Sequence, residues 1–323
     1  MGGTRAAVRG NVCCYSRLRA TVSALLLVLL GAQPAATGDD VTVEGERTRL
    51  QTAGFEHMLE LNRRLLRVSD RIRLAGVSLC EGKVTPVWGL MTAAPNALPS
   101  AFRMRAEQAV GEDDGVFVLA VEPGSPAARA GIVAGDVVLA LASRTVRQAG
   151  DLGWREDVHS SGVVTLRVKT ARGTRDVPVD VAMGCVLDPT LLYYERPLAG
   201  VTGNWGEMGL ATGMLRFLET DDELALVIGH ELAHIVLETG GFRETEADAD
   251  HLGAYLAARA GYDVSGAVAL LRRMGREELM VLADAGMSSH PMPTQRFVAL
   301  EQTAREIEGK RARGEPLAPK DRE

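Results

Sequence analysis

The stretch that most constrains this chain is 221–238. It opens on Thr220-Asp-Asp-Glu223, a capping box in which the Thr oxygen meets a free N–H and the Glu reaches back. Leu224, Leu226, Val227, Ile228, Leu232, Ile235, Val236 and Leu237 then make a helix apolar nearly all round. Such a helix has no face for water and must lie inside packed layers. Yet it carries His230, Glu231 and His234. His230 and His234 stand at i and i+4 on one face. That spacing lets both imidazoles meet one Zn²⁺ at about 2.0–2.1 Å. Glu231 adjoins the first His, so it can take a proton from water acidified by the metal as that water attacks a carbonyl. Two satisfied core histidines are the plainer reading, but a lone buried carboxylate is costly, and that reading leaves Glu231 unexplained.

A third ligand is expected beyond the Gly240-Gly241 turn, in a second helix over 244–260 closed by Gly261. Four acids compete there: Glu244, Glu246, Asp248 and Asp250. If the helices run antiparallel, His234 and Glu246 sit at similar heights on either side of the turn. Glu246 and Asp250 share a face; Glu244 and Asp248 share another, about 160° away. Glu246 is longer and nearer the turn, so it suits the metal. Asp250 suits a hydrogen bond from the free ring N–H of a ligating His. His251 falls on another face. Helices are expected over 263–274, 276–285 and from 293 onward, ending in a charged, disordered tail at 310–323.

Residues 84–183 read differently. Strands are expected over 116–121 and 137–141, with a turn at Pro123-Gly124-Ser125-Pro126 and a short helix over 127–130 between them. A hairpin is expected over 163–169 and 174–181 around Ala171-Arg172-Gly173. The string Glu122-Pro-Gly-Ser-Pro-Ala-Ala-Arg-Ala-Gly-Ile-Val-Ala-Gly-Asp136, followed by Val-Val-Leu-Ala-Leu141, resembles a bacterial PDZ domain. The resemblance implies a groove that captures an extended peptide, its C-terminal carboxylate held by backbone N–H groups. Trp88, Gly89, Leu90 and Met91 are the candidate carboxylate loop. The stretch 92–112 is longer than a compact PDZ domain needs.

Four ordered motifs then carry a second resemblance: His230-Glu-Leu-Ala-His234, Glu246-Ala-Asp-Ala-Asp250, Ala260-Gly-Tyr-Asp263, and Ser289-His-Pro-Met-Pro-Thr-Gln-Arg296. Over roughly 195–308 the chain resembles zinc metallopeptidases of the HtpX and CAAX prenyl protease type. That resemblance implies an α+β chain: a mainly helical gluzincin domain with a small PDZ-like domain inserted after an N-terminal helix. It implies zinc on His230, His234 and Glu246, Glu231 as general base, and unfolded or damaged proteins as substrates. It offers His290 as a gate over the metal or an oxyanion donor, and Arg296 as an oxyanion donor. The plainer reading of both is a loop held by Pro291 and Pro293. The short interval from His234 to Glu246 departs from many members and leaves no room for a helical insertion. Asn204-Trp205-Gly206-Glu207-Met208 loosely matches the strand that borders the cleft in that family.

The N-terminus supplies an address. Arg5, Arg9, Arg17 and Arg19 precede an apolar run over 20–32, and Ala35, Ala36 and Gly38 follow. This reads as a secretory signal over 1–38, or as an uncleaved anchor, and either places the remainder in the periplasm or envelope. An intramembrane protease needs several apolar spans, and one such run does not supply them. Beyond that segment Cys80 and Cys185 remain, and an exported chain with two cysteines invites a disulfide. The pair brackets the PDZ-like segment. A helical stripe runs through Met58, Leu61, Leu65, Val68 and Ile72 to a stop at Gly76, after a polar leader. Arg63, Arg64, Arg67, Asp70 and Arg71 read as its solvated face. The net charge is −6, and −6 − 4 = −10 once the four Arg of residues 1–36 are set aside, which makes the chain a poor candidate for phosphate backbones or anionic lipid. Membrane contact is expected only through an uncleaved N-terminal segment. A PDZ-type binding protein with a structural zinc site is the alternative, and the presence of Glu231 argues against it.

Overall fold

A computed structural model describes residues 42–80, 82–111, 115–152, 162–202, 206–237, 246–285 and 294–320. The signal segment expected at 1–38 lies outside them. No helix among the described residues is long and apolar enough to cross a membrane.

Helix α1 (Val43–Gly76) begins well inside the stretch expected to be a loose leader. Its first turns belong to a unit that ends at Thr48. There Thr42 Oγ1 accepts from the Gly45 N–H at 3.0 Å, and Arg47 pairs with Glu44 at 2.5 Å. An N-cap and an i,i+3 ion pair extend the helix through a polar sequence.

The second unit starts at Arg49. Within it α1 buries Met58, Leu65, Val68 and Ile72, with Leu61 half-buried, as the stripe requires. Its charged face is not simply solvated. Asp70 is buried, and Arg64 donates to Asp221 Oδ1 at 2.9 Å and to the carbonyls of Leu215, Leu218 and Thr220. Those carbonyls lie where one helix ends and the next begins, and the guanidinium satisfies them.

After α1 come β1 (Val84–Val87), β2 (Leu90–Ala93), α2 (Ser100–Val110), β3 (Val116–Val121), α3 (Pro126–Arg129), β4 (Val137–Leu141), β5 (Arg144–Thr145), β6 (Gly162–Thr170) and β7 (Gly173–Cys185). The strands form a seven-stranded sheet in the order β1-β7-β6-β4-β3-β2, with β5 on β4. Val116, Val118, Val138, Leu166, Val168, Val177 and Val179 fill a core on one side. Phe117, Leu119 and Val137 join the main core on the other, so β3 is covered on both faces. The long 92–112 stretch supplies the cover: α2 packs on β3, and its Phe102 meets Phe55 of α1 at 5.6 Å between ring centroids. Cys80 and Cys185 are disulfide-bonded, with Cα atoms 5.7 Å apart, beside the Val84–Cys185 register pair.

A second sheet follows. β8 (Asp188–Leu192) runs parallel to β10 (Glu207–Ala211), and β10 pairs antiparallel with β9 (Ala199–Thr202). Then come α4 (Thr212–Phe217), α5 (Asp221–Leu237), α6 (Glu246–Arg259), α7 (Ala267–Ala285) and α8 (Thr294–Arg313). α7 is one helix where two were expected. Gly275 costs a helix only about 1 kcal/mol relative to Ala and does not break it. Its start slips to Ala267 because Asp263 forms a turn with the Ser265 N–H at 2.9 Å. The disordered tail is also a correction over 310–320, while residues 321–323 lie outside the described residues. Lys310, 3% exposed, donates to the Ala318 carbonyl at 2.5 Å, and Arg259 donates to Leu317 O at 3.1 Å. The backbone after α8 folds against α6 because its carbonyls satisfy these two cations.

Candidate metal centre

The site begins with two glycines. A Cβ on Gly229 of α5 would lie 2.4 Å from the Gly253 carbonyl oxygen, and one on Gly253 of α6 would lie 2.6 Å from the His230 nitrogen. Only hydrogen fits at either position, so the two backbones touch. That contact brings together the side chains within about two turns of it on each helix.

α5 is capped as its sequence asks: Glu223 N donates to Thr220 Oγ1 at 3.2 Å. The Glu223 carboxylate reaches back one residue further than expected, to the Glu219 N–H at 2.7 Å. The two imidazoles stand edge to face, with Nε2 atoms 3.1 Å apart. Glu246 opens α6. Its Oε2 lies 3.4 Å from His230 Nε2 and its Oε1 lies 3.5 Å from His234 Nε2. Three ligands at zinc bond lengths in a tetrahedron are about 3.3 Å from one another. His230, His234 and Glu246 are the group of His, Cys, Asp and Glu donors that converges in this way among the described residues.

The surroundings suit a cation. His230 Nδ1 lies 2.9 Å from Asp250 Oδ1. Burial opposes a charged imidazolium, yet the bonds to Asp250 and Glu246 outweigh it and push His230 up to about 9. Negative groups that hold a proton so firmly hold a divalent ion for the same reason. Asp250 itself is buried, which opposes its charge, but the bonds from Arg296 and His230 keep it below the usual carboxylate range.

Arg296 is not placed as an oxyanion donor. It is 4% exposed and spent on carboxylates: Nε to Asp250 Oδ2 at 2.5 Å, one NH₂ to Asp250 Oδ1 at 2.9 Å, the other to Glu246 Oε2 at 3.0 Å. One guanidinium from α8 thus fixes both acids of α6, a fork geometry Lys could not reproduce. Glu231 is 3% exposed, and its charge contributes to the rise in His230. Asp248 is exposed, on a different face from Asp250. His251 turns to α8, with Nδ1 2.8 Å from Thr303 Oγ1. His290, Glu244, Asn204 and Trp205 lie outside the described residues. The strand against α5 is β9, at the edge of its sheet, whereas Glu207 and Met208 sit on the central β10.

At the other candidate site, the indole of Trp88 and the carbonyls of Trp88 and Gly89 anchor the loop. Trp88 Nε1 donates to Leu152 O at 2.7 Å, and the carbonyls of Trp88 and Gly89 accept from Ala127 N and Glu122 N. Gly89 has φ +72°, and a Cβ there would meet the Ser125 Cβ at 2.0 Å. Leu90 and Met91 open β2.

Comparison with known proteins agrees with this division. Residues 117–156 match the family model of the PDZ domain, and residues 198–242 and 237–304 match that of peptidase family M48. The chain is thus similar to a PDZ domain and then to an M48 peptidase region, and M48 is a family of zinc metallopeptidases. A solved structure of the HtrA3 PDZ domain bound to a phage-derived ligand (FGRWV) is similar at 20% identity. That match covers 31% of this chain and 88% of the other, with a TM-score of 0.25. No curated protein matches.

Proposed function

We propose that the protein is an exported zinc endopeptidase that hydrolyses peptide bonds in unfolded proteins. The observation that carries this reading is the convergence of His230 Nε2, His234 Nε2 and a Glu246 oxygen within 3.1–3.5 Å of one another. These three residues would hold the ion. Zinc bound there supplies Lewis acidity, which acidifies water and polarises a carbonyl. Glu231, next to His230 on the same buried helix, takes the proton as the water oxygen bonds to the carbonyl carbon. It then returns that proton to the leaving nitrogen as the C–N bond breaks. Asp250 fixes the ring of His230 through Nδ1, and Arg296 fixes both Asp250 and Glu246. The edge strand β9 beside α5 offers backbone groups on which an extended substrate can align. The PDZ domain binds extended peptide and selects substrate or partner. Export agrees with the Cys80–Cys185 disulfide.

Glu231→Gln tests the chemistry. The variant should retain zinc and fold while losing cleavage of an unfolded casein by the factor of about 10²–10⁴ typical of a lost general base. Wild-type turnover in that variant would remove Glu231 from the mechanism.

A further inference from the structure

A cavity of about 300 Å³ opens beside β2, away from the metal centre. β2 is the end strand of the sheet order among the described residues, so one of its edges has no described partner strand. The turn at Ala149–Leu152 forms one wall, and α1 and β8 form the other. Three acids line it: Asp70, Asp188 and Glu207. One cation, Arg73, lines it too, but its fork is already spent. It donates to Cys185 O at 3.0 Å, Asp70 Oδ1 at 3.0 Å, Thr85 Oγ1 at 2.9 Å and Pro86 O at 2.9 Å.

Asp70 is the informative member. Its side chain is only 9% exposed, and its second oxygen, Oδ2, has no hydrogen-bond partner among the described residues. A buried carboxylate oxygen left unpaired costs more than a made bond returns. Burial drives the Asp70 carboxyl upward against the pull of Arg73. Burial also raises Asp188, with Arg73 opposing and Glu207 adding to the rise. The cavity therefore sets three acids against one cation, and two of those acids, Asp70 and Asp188, are poorly solvated.

We propose that this cavity receives the Lys or Arg side chain of an extended peptide that adds to the edge of β2. Strand addition supplies main-chain hydrogen bonds, and every second side chain then points the same way. A cation entering between Asp188 and Glu207 meets their charge, and its field reaches the shut-in Asp70 oxygen, which solvent does not touch. A free C-terminal carboxylate in the same position would stand among three acids. The structure thus favours an internal, basic segment over the C-terminal capture expected from the Trp88–Met91 loop. This inference rests on the peptide-binding reading of the PDZ domain and does not depend on catalysis.

The test uses the full chain carrying Glu231→Gln, so that no probe is cleaved. Fluorescein-labelled, C-terminally amidated pentapeptides of Val and Thr carry Lys, norleucine or Glu at the centre. A fourth probe is the norleucine peptide with a free carboxylate. By fluorescence anisotropy the Lys peptide should bind about 10-fold or more tighter than norleucine, the range of one hydrogen bond to a charged group. Asp188→Asn and Glu207→Gln, at half-buried and exposed positions, should cut that advantage to about 3-fold or less and leave norleucine binding unchanged. Equal binding of Lys and norleucine, or a Lys preference that neither substitution moves, overturns the cation site. Binding of the free-carboxylate probe alone overturns it too and restores C-terminal capture. Silence from all four probes removes the peptide-binding reading with it. The zinc content and protease activity of the wild-type chain stand apart from every one of these outcomes.

Discussion

Substituting Gly253 by Ala separates the cost of folding from the cost of the site. The added Cβ would lie 2.6 Å from the His230 nitrogen, 2.7 Å from the Gly229 carbonyl carbon and 2.8 Å from the His230 Cα. Carbon atoms settle at about 3.5–4.0 Å, so α5 and α6 must part by about 1 Å. Ala is the better helix former by about 1 kcal/mol. Overpacking a core costs about 1–3 kcal/mol, and here the crowded atoms are backbone that cannot turn aside, so the net loss is at least about 2 kcal/mol. At about 2–4 °C per kcal/mol that is a fall in Tm of about 4–8 °C or more. The metal centre is less forgiving. Two donors ride on α5 and the third on α6, and metal distances tolerate only about 0.2 Å. Zinc affinity should fall by about 10–100-fold, the scale set by displaced supporting groups. Competition against a chromophoric chelator measures the affinity, and a circular-dichroism melt measures the fold. Gly266→Ala is the control, since a Cβ there meets nothing within 4 Å. Wild-type zinc affinity in a folded Gly253→Ala chain would refute the idea that backbone contact sets the site.

Other outcomes follow from the same contacts. Arg296→Met strands Asp250 and Glu246 without their guanidinium and should cost about 3–5 kcal/mol in urea unfolding under excess chelator, with added zinc restoring part of it; a loss under about 1 kcal/mol would contradict the buried pairing. The double substitution Cys80→Ser with Cys185→Ser opens a loop with a sequence separation of 105 and should lower stability by up to about 4–5 kcal/mol, and reductant should do the same to the wild type; unchanged unfolding in both cases would show that the bridge contributes nothing. Burial opposes the charge of Asp221, but hydrogen bonds from Arg64 and Arg67 outweigh it and lower its pKa. Its stabilising effect is therefore present above the ordinary carboxylate value of about 3.9 and lost as pH falls through the lower folded value. The Tm gap between wild type and Asp221→Asn should be present at pH 7 and shrink towards zero below pH 3; a gap that widens in acid would reverse the sign.

The parts of this molecule legible in the sequence are those written in short-range spacing. The i,i+4 histidines, the Thr220–Glu223 cap and the strands Val116–Val121 and Val137–Leu141 depend on neighbours a few residues away. The shared face of Glu246 and Asp250 was legible for the same reason, since 3.6-residue periodicity fixes it. What escaped is settled by partners far along the chain. Arg296 reads as a loop residue until α8 packs on α6 and brings Asp250, 46 positions earlier, within reach. Gly229 and Gly253 look like two weak helix residues, and only their contact across α5 and α6 gives them a reason. The charges of α1 read as solvated in the sequence because helical periodicity marks the apolar stripe but not what covers its flanks. There Asp70 is shut in with Arg73, and Arg64 reaches the carbonyls between α4 and α5. The tail failed likewise: a charged composition suggests disorder, but Lys310 finds the Ala318 carbonyl.

The proposed function requires His230, His234 and Glu246 to hold one catalytic zinc. The most direct measurement follows metal content and cleavage of unfolded casein together, before chelation, after verified metal removal and after zinc is restored. About one zinc per chain, activity lost with the metal and recovered with it, and neither metal nor activity in Glu246→Ala would agree with the account. Full cleavage by the metal-free chain, or wild-type zinc content in Glu246→Ala, would contradict it.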